Sequence, residues 1–447
     1  MLIINGQVVI WGHDGRIIKD GALLVENDRI ADIGDTSDLL DKYQDQEVID
    51  ACGNLVMPGN ICAHTHFYGA FARGLAIPGD PLVDFPEILQ RLWWQLDQVL
   101  TEEDVRFNAL VCLIDAIKHG TTTLIDHHAS ASNVDGSLDV IAEAVELSGL
   151  RSVLCYEVSD RHGTNYTKAG IDENLRFIKS VASGDTHDRL RGMFGLHASM
   201  SLSDATLEAC ATAVPGGIGF HIHVAEHNAD QENSLERSGL PVVERLHRFG
   251  ILGPDTIAAH CVHLSPAEID IMSETETWVT HQPRSNMNNG VGVAEVEYML
   301  KKGVRVGLGN DGFSNNMWSE WKMAYLLHKV AHKDPRMVSG NTIVDMGVSN
   351  NTALASRLFD DFPVGTLEVG AYADIIVVDY ESTTPLTYGN LPWHIIFGFE
   401  SGMVNTTICA GKVLMRDRQL LFLDEIEITQ RSRELAAEAW KRFCNTE

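Results

Sequence analysis

The middle of the chain repeats one pattern. A short apolar, β-prone run ends in a histidine or a carboxylate, and an amphipathic stretch follows. Eight such runs end near His64, Asp126, Glu157, His197, His223, His260, His281 and Asp311. The stretches between them, such as "TEEDVRFNALVCLIDAIKHG" and "SLDVIAEAVELSGL", have helical periodicity. The second of these, like "PVVERLHRFG", ends in Gly, as helices often do. Eight β–α units in a row predict a (β/α)₈ barrel of the TIM type, hence an α/β fold. Chemistry in that fold sits at the C-terminal ends of the strands. Scattered surface polarity would not choose strand ends so regularly.

The two ends of the chain have a different texture. "MLIINGQVVI", "GALLVENDRIADIG" and "EVIDACGNLVMPG" are short β-prone runs broken by Gly and Asp. The texture returns in "VGTLEVGAYADIIVVDY" and "VNTTICAGKVLMRDRQLLF". One flanking β-sandwich built from both chain ends is expected. The expected division is 1–57 and 361–425 for the two parts of the sandwich and 58–360 for the barrel. A C-terminal helix over 426–447 follows from the spacing of "EIEITQRSRELAAEAWKRF".

Composition narrows the function classes. The net charge of -28 repels nucleic acid and anionic lipid, so neither is an expected partner. None of the eight cysteines forms a CxxC pair, which removes zinc ribbons and thioredoxin-type chemistry. Most sit in apolar runs and read as small buried hydrophobes. The sequence opens without a basic, then apolar, leader, and no apolar stretch approaches a membrane span. A cytoplasmic protein with reduced thiols is expected.

The strand ends hold the candidate chemistry. "AHTHFYGAFARG" places His64 and His66 two apart, on one side of a strand. "GGIGFHIHVAEH" repeats the spacing in His221 and His223, with Glu226 three residues on. "VRVGLGNDGFSNN" ends another run with Asp311. An anionic oxygen beside neutral imidazoles suits zinc or iron(II), so His64, His66, His223 and Asp311 form a candidate metal set. Hydrogen-bonded core histidines would explain one such residue easily and four together poorly. "HVAEH" also fits the HxxEH peptidase motif, but that motif needs a helix and the preceding "GIGFHIHV" is β-like. The H-x-E with P-C-x-x-C signature of cytidine-type deaminases is absent.

At the barrel mouth, His260 in "IAAHCVHLSPAEID" is placed to orient a metal-bound water, and His197 in "GMFGLHASMSLS" to contact substrate. His263 reads as structural or on the rim. For His281 a site role and a plain packing role are evenly matched, and His127 and His128 read as backing or wall residues. His119, His162, His187, His247, His328 and His332 read as ordinary histidines, and Trp93 and Trp94 at first sight as core.

The pieces "PGNICAHTH", "HIHVAEH", "AAHCVHLS", "HQPRSNMNNG" and "GLGNDGFSNN" resemble the amidohydrolase superfamily. The resemblance is to its guanine deaminase, S-adenosylhomocysteine deaminase and triazine hydrolase branch, and it covers nearly the whole chain. "LWWQLDQVLTEED", "IDHHAS" and "GLRSVLCYE" are similar to the SsnA-type aminohydrolases. The resemblance implies a barrel with a flanking β-sandwich and one divalent metal, Zn²⁺ first and Fe²⁺ or Mn²⁺ next. By motif position it implies His64, His66, His223 and Asp311 as ligands and Glu226 as general acid/base. His260, with Asp311, handles the water, and His197, Trp94 and Asp97 contact substrate.

The implied activity is hydrolytic deamination of an amino-substituted N-heterocycle such as a purine or pterin, by a homodimer or higher homo-oligomer. The alternatives are a triazine-type hydrolase releasing chloride or an amine, and an inactive scaffold. Asn310, Gln282 and Asn288 depart from the family pattern and bear on substrate identity. A lysine ending the fourth strand, which binuclear members use, is absent. Phe67, Tyr68 and Arg73 beside the first histidine pair suit a flat polar ring, or equally packing and a rim ion pair.

Overall fold

The computed structural model describes residues 1–183 and 188–445; His187 lies outside them. Nine parallel segments form the eight strands of the barrel, Leu190–Gly192 and Phe194–Ala198 being two halves of the fourth. Asn60–Thr65, Thr121–Asp126 and Arg151–Leu154 pair in sequence order, and Leu190–Gly192 follows. Phe194–Ala198, Phe220–Val224, Ile257–His260, Trp278–His281 and Val306–Leu308 continue in order. Met193 joins the two sets: its N–H donates to Leu154 O at 3.0 Å, and Phe194 N–H donates to Gly219 O at 3.2 Å. The ring closes where Gly309 N–H donates to His281 O and Asn310 N–H to His64 O, at 3.1 and 2.9 Å. Every strand is covered by a crossover element, so the strands are apolar and buried almost throughout.

The helices form where the sequence gives start and stop signals. Glu102–Lys118 opens on a capping box in which Thr101 and Asp104 satisfy each other's backbone N–H groups. Ser137–Ser148 stops at Gly149, whose φ of 78° is the left-handed conformation that ends a helix.

Both chain ends build one nine-stranded sheet. Across it the order is Gln419–Leu420, Lys412–Arg416, Val404–Cys409, Ile375–Val378, Leu55–Pro58, Leu2–Ile10, Arg16–Glu26 and Arg29–Asp35. Val48–Asp50 also pairs with Leu2–Ile10. The sheet curls back on itself: Ile30 N–H donates to Ala371 O and Gly370 N–H to Ile30 O, which ties the far edge to the approach to Ile375–Val378. Ile3, Val8, Leu23, Val56, Ile375, Val377 and Ile408 fill the space between, as in a sandwich. A buried ion pair, Arg151 with Asp374 at 3.1 Å, joins the barrel to this sheet.

The helix Glu425–Cys444 lies on Glu102–Lys118, with Trp440 Nε1 donating to Phe71 O at 2.7 Å and Arg442 donating to Val99 O. No helix among the described residues is long and apolar enough to cross a membrane.

Candidate active site

The strand ends converge on a small polar centre. Asp311 Oδ1 lies 3.1 Å from His64 Nε2, 3.0 Å from His66 Nε2 and 3.8 Å from His260 Nε2. His66 Nε2 and His223 Nε2 stand 3.1 Å apart. His64, His223, His260 and Asp311 together offer atoms within 4.8 Å of one another. The residues expected as ligands from the sequence are thus brought together, with His260 beside them.

What stands behind each ring decides which nitrogen carries a proton. His66 Nδ1 lies 2.6 Å from His127 O, and His223 Nδ1 lies 2.9 Å from His197 O. A carbonyl only accepts, so both Nδ1 atoms carry a proton and both Nε2 atoms face the centre. His260 Nδ1 lies 2.9 Å from Asn286 Oδ1, and its buried Nε2 has no hydrogen-bond partner. His64 Nδ1 meets His221 Nε2 at 2.8 Å, so the first histidine of "HIH" backs a histidine of the opening motif. Two Nε2 atoms turned to each other across 3.1 Å, beside an unpartnered buried nitrogen and a carboxylate, are the donor set of a divalent cation.

Electrostatics follow the same division. Burial pushes His64 down to about 3 and lowers His223 and His260 as well. Burial also disfavours charge on His66, but the Asp311 carboxylate outweighs it and carries this imidazole up to about 9, so a cation entering the centre would displace a proton from His66 Nε2. Asp311 is held well below the usual carboxylate range: burial opposes this, and His260, His64 and His66 overcome it. Glu226 goes the other way. Burial, then the negative charge of Asp311, push its carboxyl well above the ordinary range. It faces His260 Nε2 at 3.5 Å and receives Asn289 Nδ2 at 3.4 Å. A carboxyl that keeps its proton next to a polar centre is equipped to donate it.

The backbone is strained here. Ala225, His260, Cys261 and Asp311 all have positive φ, between 44° and 72°. These turns aim Glu226 and Asp311 back over the barrel after the strands end at Val224 and Leu308. They also settle the peptidase alternative. His223 is on a strand, and the next helix, Asn228–Ser238, starts only after His227, which caps it. HxxEH therefore has no helix to sit on.

A cavity of about 930 Å³, counted out to its open mouth, stands above the centre. Its walls include Tyr68, Phe85, Leu89, Trp93, Trp94, Met200 and Phe313 on the apolar side and Glu157, Arg161, His197 and Glu226 on the polar side. Trp94 and His197 thus stand on the wall, as expected of substrate contacts. Trp93 joins them, because the segment Leu89–Trp93 is a π-helical turn rather than a regular core helix. Asp97 does not reach the wall. It is buried behind Arg161, 3.2 Å from the guanidinium, with His162 at 3.7 Å. The short turn Trp94–Leu96 carries it inward to that ion pair.

Several expectations resolve on geometry alone. His281 faces His328, Nε2 to Nε2, at 3.2 Å, away from the cavity wall. His128 meets Ser130 Oγ at 2.8 Å and stands edge-on to Tyr68, so it backs the wall. His263 donates to Val291 O at 2.7 Å on the rim. Gln282 accepts from His260 N–H, and Asn310 orders its own turn through Gly312 N–H and Asn315; neither lines the cavity, whereas Asn288 does. Tyr68 lines the cavity, Phe67 is buried beneath it, and Arg73 is exposed.

Four residues enter without having been singled out. Ser285 donates its hydroxyl to Asp311 Oδ2, Asn286 backs His260, Asn289 reaches Glu226, and Arg161 binds Glu157. Three of these belong to "PRSNMNNG", whose run of short polar residues straight after a strand end was the available signal.

Relatives carry the same architecture. The amidohydrolase family model matches residues 55–414. A 5'-deoxyadenosine deaminase of Methanosarcina acetivorans is 34% identical over 444 residues, 98% of each chain. A 5-methylthioadenosine/S-adenosylhomocysteine deaminase of Pelotomaculum thermopropionicum is 33% identical over 448 residues, 99% of this chain and 98% of that one. An adenosine deaminase from Xanthomonas campestris, solved with bound zinc, superposes with a TM-score of 0.87 over 98% of both chains at 22% identity. The histidine and aspartate strand ends, the barrel that aims them and the sheet from both chain ends sit on a chain matched along nearly its whole length, and this protein belongs to the amidohydrolase family.

Proposed function

We propose that the chain is a metal-dependent hydrolytic deaminase that removes an amino group from an N-heterocycle and releases ammonia. The observation that carries the reading is the pairing of two opposite devices in one centre. Imidazole Nε2 atoms and a deprotonated Asp311 converge on one point, and a protonated Glu226 lies 3.5 Å from His260. The names of the relatives, deaminases of 5'-deoxyadenosine and of 5-methylthioadenosine/S-adenosylhomocysteine, favour an adenine-type ring over a pterin or triazine.

His64, His66, His223 and Asp311 would hold the cation, Zn²⁺ first, with Fe²⁺ or Mn²⁺ also suited to N and O donors. A divalent ion there supplies Lewis acidity that brings the pKa of water from about 16 to about 7. The chain's own residues do the rest. His260 and Asp311 orient the attacking water and take its proton. Glu226 gives its proton to the ring nitrogen beside the carbon under attack. It then passes a proton from the water to the departing amine, which leaves as ammonia. General acid/base help of this kind contributes roughly 10²–10⁴-fold. The aromatic wall of Tyr68, Trp93 and Trp94 suits a flat ring. The eight free cysteines, six of them buried, fit a reducing, cytoplasmic setting.

Ammonia release by metal-replete enzyme across aminopurines, aminopterins and aminotriazines tests the reading, with chloride and alkylamine assayed in parallel. Ammonia from an aminopurine is expected. Chloride or alkylamine release without ammonia would replace the deaminase with a triazine-type hydrolase.

A further inference from the structure

Glu157 is a buried carboxylate that the reaction above does not use. It follows the third barrel strand by three residues and stands on the cavity wall. Arg161 donates to its Oε1 at 2.7 Å, and His127 Nδ1 lies 3.3 Å from its Oε2. His127 Nε2 faces two carbonyls, Leu196 O at 3.1 Å and His221 O at 3.0 Å, so that nitrogen must be a donor. The Arg161 guanidinium therefore keeps Glu157 ionised, while the His127 ring is held in place by the two carbonyls.

The neighbour on the cavity side is His197, with Nε2 at 3.8 Å from Glu157 Oε1, too far for a hydrogen bond. Its tautomer can be read from its other nitrogen. Ser201 Oγ donates to Ala198 O at 3.1 Å, so it accepts from His197 Nδ1–H at 2.6 Å. His197 Nε2 is then a bare lone pair. Two acceptors, a carboxylate oxygen that Arg161 holds and an imidazole nitrogen, stand side by side on the wall, 3.8 Å apart. Glu157, His197 and His223 offer atoms within 4.8 Å of one another, so this acceptor pair borders the reacting centre. A ligand that presented lone pairs there would be repelled, and one that presented hydrogens would be held.

We propose that Glu157 is a specificity-determining residue whose carboxylate accepts a hydrogen bond from an N–H or O–H donor on the substrate edge that faces His197. The proposal rests on the deaminase reading for its substrate class but not for its geometry. The donor has two possible sources, a ring N–H or a sugar hydroxyl. Arg161 fills one lone pair of Glu157 Oε1, and a carboxylate oxygen offers another, so a ligand lacking the donor leaves a buried acceptor site unfilled and is disfavoured.

The test compares two pairs of ligands on wild-type, Glu157→Gln and Glu157→Ala enzymes: adenine against 9-methyladenine, and adenosine against 2',3'-dideoxyadenosine. Metal content and thermal midpoint are recorded for each protein. In one pair, wild-type kcat/KM should fall about 10–100-fold when the donor is removed. Glu157→Gln should shrink that ratio several-fold, and Glu157→Ala should bring it close to one. The pair that responds names the donor. The same ratios read as Kd by calorimetry keep the test valid if no ammonia appears. In that case the deaminase reading fails while the acceptor proposal stands or falls on binding. Glu157→Gln is nearly isosteric, so it covers the case in which Glu157→Ala does not fold. A wild-type ratio near one in both pairs would overturn the proposal. So would equal losses for all four ligands in a variant that keeps its metal and midpoint.

Discussion

Two histidine clusters are buried in this barrel, and they are built in opposite ways. At the mouth, His66 and His223 each give Nδ1–H to a carbonyl, and His260 Nδ1 faces Asn286 Oδ1. Their Nε2 atoms are turned toward Asp311. On the far side of the seventh strand, His281 and His328 also face each other through Nε2, at 3.2 Å, and His332 stacks on His328. There Nδ1 of both His281 and His328 is buried without a partner. No third ligand-type group joins that pair among the described residues. Nothing fixes its tautomers from behind, so one proton between the two rings completes it. A histidine is poised for a metal by the oxygen that pins its far nitrogen, more than by burial or by another histidine nearby.

The comparison can be broken most sharply at the metal. His223→Ala removes a bare lone pair from the centre and should abolish both bound metal and turnover. His281→Phe, which fills the other cluster, should leave the metal content of the wild type. Elemental analysis of the two purified proteins checks this. Metal loss in both, or in neither, would erase the distinction. One step smaller is Glu226→Gln, which keeps the shape and removes the proton donor. Metal should remain at the wild-type level and kcat should fall about 10²–10⁴-fold. Wild-type turnover would remove Glu226 from the reaction.

Much of this was legible in the sequence because both periods involved are short. His64 and His66 lie two apart on a strand, and a strand's period of two puts them on one side. The eight-fold alternation then places every strand end at the same face, which is why Asp311 could be joined to histidines far away in the chain. Contacts that depend on a third element were not legible. His281 sits at a strand end like the others, and only the helix Met317–His332, packing against it, supplies His328. Trp93 stands on the cavity wall through a π-helical turn that no hydrophobic period announces. Asp97 was expected to face substrate, but Arg161, from a loop more than sixty residues later, draws it inward. Glu157 was marked by its position at a strand end, while its partners come from three different loops and strands.

A smaller effect sharpens the link between backing group and tautomer. Asn286→Ala removes the acceptor that holds His260 Nδ1–H, without touching Asp311 or Glu226. The ring keeps its place but can present N–H where it should present a lone pair. A loss of about 10–100-fold in kcat is expected, with metal content little changed, since groups behind metal-site histidines typically contribute that much. Asn286→Asp, which keeps an acceptor oxygen, should recover most of the loss. Equal defects in both variants would mean that Asn286 matters for packing and not for the proton on His260.

The smallest effect lies in the second cluster and is read as stability against pH. Burial lowers His328 from 6.5 to about 4, with the charge of His332 adding to the shift. The unfolded chain binds a proton on this imidazole below pH 6.5, whereas the folded chain resists until about pH 4. The protein therefore loses stability as pH falls through that window and loses no more from this group below it. The loss reaches at most about 3 kcal/mol at the acid end. His328→Leu removes the group, so its midpoint should fall less steeply than that of the wild type between pH 6.5 and pH 4. Carboxylates elsewhere titrate in both proteins and cancel in the difference. Above pH 7 the two curves should run parallel. Parallel curves through the whole window would show that the His281–His328 pair already holds its proton when folded, and the contrast with the bare lone pairs at the mouth would lose its physical basis.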